Sequence, residues 1–262
     1  MAEAWAWRQS GRGPDLVMLH GWGMQSAIFA PLAESLAPDF RVTALDLPGH
    51  GRTPCAGPLN LASAVDGLLA TLAALDLQQP AFLGWSLGGQ VGLALAHVQP
   101  RRLSKLILVG ATPRFVAGPD WPWGMAPAVF QRFAADLLQD ATATLKRFLA
   151  LQTLEDGEAR KHLRSLQAAL LARVPEPRCL REALEILRST DLRASLATLD
   201  LPVLLMQGGL DRLVAPATAA YLLDALPQAR LLHLPGVGHA PFLSAPETCA
   251  AAIRAFLADA GG

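Results

Sequence analysis

The stretch Ala81-Phe82-Leu83-Gly84-Trp85-Ser86-Leu87-Gly88-Gly89 decides the fold of this 262-residue chain. It opens with an apolar run typical of a buried strand, and the apolar segment Gly88–Gln99 that follows favours a helix. Glycines stand two residues before and two residues after Ser86, which permits a turn too tight for side chains at those positions. The stretch therefore predicts a strand, a sharp turn and a helix, with Ser86 at the turn.

Further apolar runs on both sides of this stretch predict a parallel sheet that is covered on both faces. They are Leu16–Leu19, Arg41–Leu45, Ala81–Leu83, Leu106–Val109, Val203–Gln207 and Arg230–Leu234. Helix-type segments alternate with them at Ala27–Leu36, Leu61–Leu75, Gly88–Gln99, Ala215–Leu226 and Pro246–Ala258. This alternation predicts an α/β fold with a mostly parallel central sheet and flanking helices.

The alternation stops between residues 113 and 194. Apolar residues there recur at helical spacing, as in Phe130, Phe133 and Leu137, and predict three or four amphipathic helices. We therefore predict a core made of residues 1–112 and 195–262, with residues 113–194 inserted as a helical lid. The chain length suits one large α/β domain with such an insertion.

Composition excludes several classes of protein. The chain has 22 Lys+Arg, 22 Asp+Glu and 52% apolar residues, so it can bury a core and is neither disordered nor a basic nucleic-acid-binding body. We therefore expect no nucleic-acid partner. The formal net charge of zero conceals a local excess of basic residues, because residues 141–173 carry six basic and three acidic side chains.

The cysteines and the N-terminus indicate a compartment. Cys55, Cys179 and Cys249 are odd in number and lack C-x-x-C spacing, so we expect neither a complete disulfide framework nor a tetrahedral metal site. This use of cysteine fits a reducing compartment best. Residues 1–15 lack the apolar run of a secretory signal. The uncharged stretch Leu77–Pro100 is interrupted by glycines and prolines, against a membrane span. We expect a cytoplasmic protein that does not contact membranes.

A serine on a strand-to-helix turn is typical of nucleophilic catalysis, because the helix N-terminus offers N–H groups to a developing oxyanion. Its hydroxyl is a weak nucleophile and needs a histidine base that a carboxylate orients. His239 lies in a glycine-rich loop between the last predicted strand and helix, and Asp211 follows the strand Val203–Gln207. We predict Ser86 as nucleophile, His239 as base and Asp211 as acid, in the chain order of α/β hydrolases.

Other residues of the same types have plainer explanations. His233 lies in a predicted strand, while His97 and His162 lie in helices, which favours packing or surface roles. Asp200 and Asp224, the alternatives to Asp211, are predicted in a loop and on a helix surface. Neither Asp200 nor Asp224 follows an apolar strand in the way that Asp211 does.

The motif His20-Gly21-Trp22-Gly23 follows the strand Leu16–Leu19 and predicts part of an oxyanion hole. Its small residues let the N–H of Trp22 approach a substrate oxygen beside the N–H of Leu87. We interpret His20 as binding loop backbone rather than as catalytic, and Asp46–Gly51 as a similar turn-rich loop. No phosphate-binding motif is present, so we expect no cofactor.

Several of six further strings lie outside the catalytic loops, in the predicted lid. The six strings are His20–Gly23, Gly84–Gly89, Gly110–Phe115, Arg147–Thr153, Leu184–Leu187 and Gly238–Phe242. With them the sequence resembles the α/β-hydrolase superfamily over nearly its whole length. Within that superfamily it resembles the pimeloyl-[acyl-carrier protein] methyl ester esterases of biotin biosynthesis. The resemblance implies a serine carboxylesterase that acts on an acyl chain attached to acyl carrier protein and releases methanol.

The resemblance also implies roles for residues of the lid. An acyl channel would be lined by Phe148, Leu149, Ala150, Leu151 and Gln152. The acidic carrier protein would be contacted by Arg147, Arg160 and Arg164. Arg160 and Arg164 are four residues apart and share a helix face. Two basic residues on one face are also expected of an ordinary solvated helix. We expect a monomer.

Two other functions stay open at this point. A broad short-chain carboxylesterase or a carbon–carbon bond hydrolase could use the same triad, because a fold does not choose its substrate. A non-catalytic ligand-binding relative would lack a member of the triad, and Ser86, Asp211 and His239 are all present.

Overall fold

The computed structural model describes residues 3–152 and 156–259, apart from the side chains of residues 159, 160, 162–166 and 169. Its centre is a seven-stranded sheet in the order β1-β3-β2-β4-β5-β6-β7, in which β1 runs antiparallel to β3 and the other pairs are parallel. The strands are β1 Trp7–Ser10, β2 Asp15–Leu19, β3 Arg41–Leu45, β4 Ala81–Trp85, β5 Leu106–Val109, β6 Val203–Gly208 and β7 Ala229–Leu234.

Helices connect the strands and cover the sheet. They are α1 Ala30–Leu36, α2 Leu61–Ala74, α3 Leu87–Val98, α4 Pro127–Gln139, α5 Ala141–Gln152, α6 Gly157–Ala172, α7 Pro177–Ser189, α8 Ala217–Ala225, α9 Pro241–Ser244 and α10 Pro246–Ala258. Short 3-10 helices span Ser26–Phe29 and Arg193–Thr198. Within the described residues, no helix combines the length and the apolar character that crossing a membrane requires.

The predicted α/β fold is confirmed, and burial explains why the sequence revealed it. Strands β4, β5 and β6 are buried at every position, so their sequences are continuous apolar runs. The edge strand β1 was missed because its residues Trp7-Arg8-Gln9-Ser10 are mostly exposed and carry no apolar pattern. From β2 the chain passes to β3 on one side and then crosses to β4 on the other side of β2. This reversal of the strand order creates a crevice at the carboxyl ends of β2 and β4.

Four consecutive helices, α4 to α7, lie between β5 and β6 and are called the four-helix segment below. Helix α7 is held against the body by several polar contacts. Arg178 donates hydrogen bonds to the carbonyl oxygens of Cys55 and Gly57, and the N–H of Leu59 donates to Glu182. The insertion has the helical character expected of residues 113–194, and their division from the core as a lid stays a prediction.

The structure contains one disulfide, although the number and spacing of the cysteines predict no complete disulfide framework. Cys55 and Cys179 form a disulfide across 124 residues of sequence, whereas Cys249 is a buried free thiol. The spacing of the cysteines could not reveal this pair, because only the docking of α7 on the loop after β3 brings the two side chains together. Among the described residues, no group of three metal-ligating side chains is placed to hold a metal ion.

We predict that the disulfide stabilises the fold. Reduction by dithiothreitol should lower the free energy of unfolding by about 2–4 kcal/mol, because the unfolded chain regains the freedom that a long closed loop denies it. Urea denaturation with and without reductant measures the difference. A Cys55→Ser/Cys179→Ser variant should not respond to the reductant, and an unchanged midpoint for the wild-type protein would contradict the prediction.

Candidate active site

Ser86 occupies a strained backbone conformation at the junction of β4 and α3. Its φ is 54° and its ψ is −114°, a combination that costs about 1–3 kcal/mol and persists only where the surroundings enforce it. A Cβ atom at Gly84 would lie 2.4 Å from the carbonyl oxygen of Gly88, and one at Gly88 would lie 2.2 Å from that of Leu19. Both positions therefore require glycine if the turn is to form.

Asp211 and His239 form a buried hydrogen-bonded pair near this turn. The Oδ2 of Asp211 lies 2.7 Å from the Nδ1 of His239, and the two residues are only 4% and 1% exposed. The Oδ1 of Asp211 accepts the N–H groups of Leu213 and Val214 at 2.9 Å, while the Gln207 amide donates to Oδ2 at 3.1 Å. These contacts satisfy the carboxylate and fix its direction towards the imidazole.

The contact with Asp211 determines which nitrogen of His239 carries the proton. A nitrogen that faces a carboxylate oxygen donates to it, so Nδ1 is protonated and Nε2 keeps its lone pair. His239 Nε2 is buried, and it has no hydrogen-bond partner in the described part of the chain. The imidazole is therefore arranged to accept a proton at Nε2.

The backbone of His239 is held by the residue that precedes Ser86. The indole Nε1 of Trp85 donates to the carbonyl oxygen of His239 at 2.9 Å. A Cβ atom at Gly110 would lie 3.1 Å from the Nδ1 of His239, so the strand end of β5 leaves room for the ring. Residues 235–240, which include His239, are called the histidine loop below. Strands β4 and β5 thus hold this loop beside the turn that carries Ser86.

The structure separates these residues from the alternatives of the same types. His97 and His233 are exposed, as are Asp200 and Asp224. Asp200 instead accepts a hydrogen bond from Gln228. The backbone of His162 lies in α6, and its side chain is outside the described residues. Of the histidine–aspartate pairs considered, the structure brings together His239 and Asp211.

The loop after β2 lies directly beside Ser86. A Cβ atom at Gly21 would lie 3.0 Å from that of Ser86. Trp22 is buried, and its Nε1 donates to the carbonyl oxygen of Leu180 in α7 at 2.9 Å. Leu87 is the first residue of α3, where a backbone N–H has no acceptor within the helix. The roles of Trp22 and Leu87 as oxyanion donors stay predictions.

His20 and His50 connect this loop to the loop after β3. The N–H of Leu47 donates to His20 Nε2 at 3.0 Å, and the N–H of Gly23 donates to His50 Nε2 at 3.3 Å. Their Nδ1 atoms in turn donate to the carbonyl oxygens of Gly21 and Pro48. The interpretation of His20 as a residue that binds loop backbone is confirmed.

Both imidazoles are held in the neutral form. Burial lowers the pKa of His20, and burial together with the neighbouring His20 lowers the pKa of His50 to about 3. Protonation would also replace the lone pair of each Nε2 with an N–H that faces another N–H donor. The loops beside Ser86 therefore depend on two uncharged histidines.

An apolar cavity of about 60 Å³ adjoins the loops of Trp22 and Asp211. It is lined by residues of the body and of helices α4, α5 and α7. Its lining consists of Trp22, Phe115, Met125, Val129, Phe130, Phe133, Phe148, Leu151, Leu184, Leu187 and Leu213. The rings of Trp22, Phe133 and Phe148 contact one another at centroid distances of 5.0–5.6 Å. The cavity can hold a hydrocarbon chain but no charged group.

The structure distributes the predicted channel residues around α5. Phe148 and Leu151 line the apolar cavity, because residues three apart share a helix face. Leu149 and Gln152 are buried, and Ala150 is exposed. A role for Leu149, Ala150 and Gln152 in an acyl channel stays a prediction.

The predicted carrier contacts lie on α5 and α6. Arg147 is largely exposed and pairs with Asp136 at 3.1 Å, with Thr144 as a second acceptor. Arg160 and Arg164 belong to α6, and their side chains are outside the described residues. Contact of these arginines with a partner stays a prediction.

Sequence reasoning missed Gln207 and Trp85. Gln207 is a buried amide near the end of an otherwise apolar strand, and that polar residue was the available signal for a partner of Asp211. Trp85 lies inside the motif that was used to find Ser86, but nothing in the sequence indicates that its indole reaches the carbonyl of His239, 154 residues away.

The fold and this site define an α/β hydrolase, and the chain belongs to that family: the family model of the alpha/beta hydrolase fold matches residues 14–246. Two relatives named pimeloyl-[acyl-carrier protein] methyl ester esterase are similar over nearly their whole length. The one from Stenotrophomonas maltophilia is 43% identical over 95% of both chains. The one from Xanthomonas campestris is 44% identical over 95% of this chain and 96% of its own.

A solved structure agrees on the fold. An esterase from Exiguobacterium antarcticum superposes with a TM-score of 0.88 over 96% of this chain and 94% of its own, at 24% identity. At that identity the likeness concerns the fold alone.

We predict that His50 makes stability depend on pH. Its pKa is lowered on folding, so its contribution is complete above the unfolded value of about 6.5 and is lost as the pH falls towards about 3. The free energy of unfolding of the wild-type protein should therefore fall between pH 6 and 4 by up to about 1.4 kcal/mol per unit more than that of His50→Gln. Urea denaturation across this range measures both slopes.

The exposed His233 provides the matched control. His233→Gln should keep the wild-type slope, because it leaves the buried contacts of His50 with Gly23 and Pro48 in place. Parallel curves for wild-type and His50→Gln would show that the buried ring is not the cause.

Proposed function

We propose that this chain is a serine carboxylesterase that hydrolyses the methyl ester of pimeloyl-[acyl-carrier protein], giving the free pimeloyl carrier and methanol in biotin biosynthesis. The observation that carries the substrate is the 43–44% identity over 95% of the chain to relatives of that name. The buried pair of Asp211 and His239, whose backbone is held by the residue that precedes Ser86, supports the reaction type.

Acylation uses the three side chains in turn. The Oγ of Ser86 attacks the ester carbonyl carbon while Nε2 of His239 takes its proton. The negative oxygen of the tetrahedral intermediate accepts hydrogen bonds from the N–H groups of Trp22 and Leu87. Collapse of the intermediate breaks the bond to the methoxy group, which leaves as methanol with the proton from His239.

Deacylation repeats the sequence with water. His239 takes a proton from a water molecule, whose oxygen attacks the acyl-serine carbonyl, and then returns the proton to Ser86 Oγ. Asp211 holds the ring and stabilises the imidazolium that forms in each half-reaction. The product is the free carboxylic acid at the end of the carrier-bound chain.

The four-helix segment supports the proposed substrate. We propose that it acts as a lid whose apolar cavity, lined in part by Phe148 and Leu151, holds methylene groups of the acyl chain. Basic side chains of the segment face an acidic carrier protein, with Arg147, Arg160 and Arg164 as the proposed contacts. Opposite charges on the two partners make association faster and sensitive to salt.

The proposal includes a monomeric enzyme in the cytoplasm. In that compartment thiols are kept reduced, so the pairing of Cys55 and Cys179 is the feature that argues against it. A cytoplasmic location therefore requires that the chain fold and turn over substrate with both thiols reduced.

A comparison of two substrates tests the proposal. The wild-type protein should hydrolyse the carrier-bound methyl ester with a higher kcat/KM than p-nitrophenyl butyrate, because only the former offers a carrier protein to the basic side chains of the lid. Ser86→Ala should lose about 10⁴- to 10⁶-fold in kcat on both substrates. Equal kcat/KM values for the two substrates would favour a broad short-chain esterase, and turnover by Ser86→Ala would overturn the mechanism.

Charge reversal tests the proposed carrier surface. Arg160→Glu/Arg164→Glu should raise KM for the carrier substrate about tenfold at low salt and leave p-nitrophenyl butyrate hydrolysis unchanged, because only the carrier contact is repelled. Arg101→Glu is the control, since Arg101 is exposed beyond the end of α3 opposite Ser86. Equal losses on both substrates would indicate a damaged lid instead.

A further inference from the structure

A buried carboxylate of the four-helix segment contacts the histidine loop. Asp156 lies between α5 and α6 and is only 2% exposed. Its Oδ2 accepts the N–H of Gly238 at 2.8 Å and the hydroxyl of Ser244 at 2.5 Å. Gly238 directly precedes His239, and Ser244 is the last residue of α9, so one carboxylate binds residues on both sides of His239 in the sequence.

The fit around this contact is close. A Cβ atom at Gly238 would lie 2.9 Å from the carbonyl oxygen of Gln152, the last residue of α5, and 3.5 Å from Asp156 Oδ2. Helix α6 also packs against α9. A buried carboxylate is costly unless its oxygens are hydrogen-bonded, and here an amide and a hydroxyl repay part of that cost. The contact therefore exists when Gln152 and Asp156, together called the α5–α6 junction below, are docked on the body.

His239 is thereby held from three sides. Asp211 binds the imidazole, Trp85 binds the carbonyl oxygen of His239, and Asp156 binds the preceding amide. Asp211 and Trp85 belong to the body, whereas Asp156 belongs to the inserted helices. Of these three contacts, a displacement of the four-helix segment would therefore break the contact with Asp156.

We propose that Asp156 is a positioning residue that couples docking of the α5–α6 junction to the placement of His239. The inference rests on the proposed role of His239 as base. Release of Gly238 would let the imidazole drift from Ser86, and a misplacement of about 1 Å can cost on the order of 100-fold in rate. Proton transfer is then fastest when the segment is docked.

Variants at position 156 test this coupling on p-nitrophenyl butyrate, a substrate that needs no carrier. Asp156→Ala should lower kcat about 10- to 100-fold with KM changed less than about threefold, because it affects the base and not binding. Asp156→Asn keeps an acceptor oxygen for Gly238 and should recover most of that loss. Titration with a fluorophosphonate probe gives the concentration of reactive Ser86, so that kcat is counted per folded site.

Asp140→Ala is the matched control. Asp140 belongs to the same segment and accepts the N–H of Ala143 at 2.9 Å, so its loss weakens the start of α5 without touching the histidine loop. It should keep a kcat near that of the wild-type protein. A loss equal to that of Asp156→Ala would overturn the proposal, as would a kcat within about threefold of wild type for Asp156→Ala.

Two further variants keep the inference testable if Asp156→Ala does not fold. Ser244→Ala removes one of the two contacts, and Ser244→Ala/Asp156→Asn weakens both, so kcat should fall stepwise; unchanged kcat in the double variant would overturn the coupling.

Because the assay uses a free ester, loss of carrier preference would contradict the proposed substrate and leave this inference standing. Activity of Ser86→Ala would instead contradict the proposed triad.

Discussion

The strained backbone of Ser86 is the constraint on which the rest of the site depends. Ser86, between a strand and a helix, has a φ of 54° and a ψ of −114°. This strained conformation persists only where neighbouring backbone segments pack closely enough to enforce it. Glycines at 84 and 88 permit that approach from the turn itself, and Gly21 permits it from the loop after β2. Once these backbones are close, the serine and the N-terminus of α3 face the crevice at the carboxyl ends of the strands.

The buried polar side chains of Asp211, His20 and His50 are satisfied, whereas one ring nitrogen of His239 is not. Both oxygens of Asp211 accept hydrogen bonds, and the two buried histidines of the neighbouring loops each use both ring nitrogens. His239 differs because its Nε2 is buried without a partner among the described residues. A buried nitrogen without a hydrogen bond destabilises the folded state. A general base nevertheless needs such a free lone pair before the substrate binds.

Sequence patterns revealed the parts of this structure that depend on local order. Ser86 and Asp211 each follow an apolar run, so strand ends could be located and the triad proposed from chain order. The patterns failed where a contact joins distant segments. The Cys55–Cys179 disulfide spans 124 residues and the Asp156–Gly238 contact spans 82, and neither distance leaves a periodic signal. Strand β1 was missed for another reason, since an exposed edge strand need not be apolar.

The attachment of α7 divides the four-helix segment into unlike halves. The first turns of α7 are joined to the body by a covalent bond at Cys179 and by the contact of Leu180 with Trp22, whereas the α5–α6 junction is joined to the histidine loop by hydrogen bonds to Asp156. A swing of the segment would therefore pivot on α7. The loop of Trp22 would keep its contact with α7 during such a swing, whereas the loop of His239 would lose its contact with Asp156 at each opening and regain it at each closure.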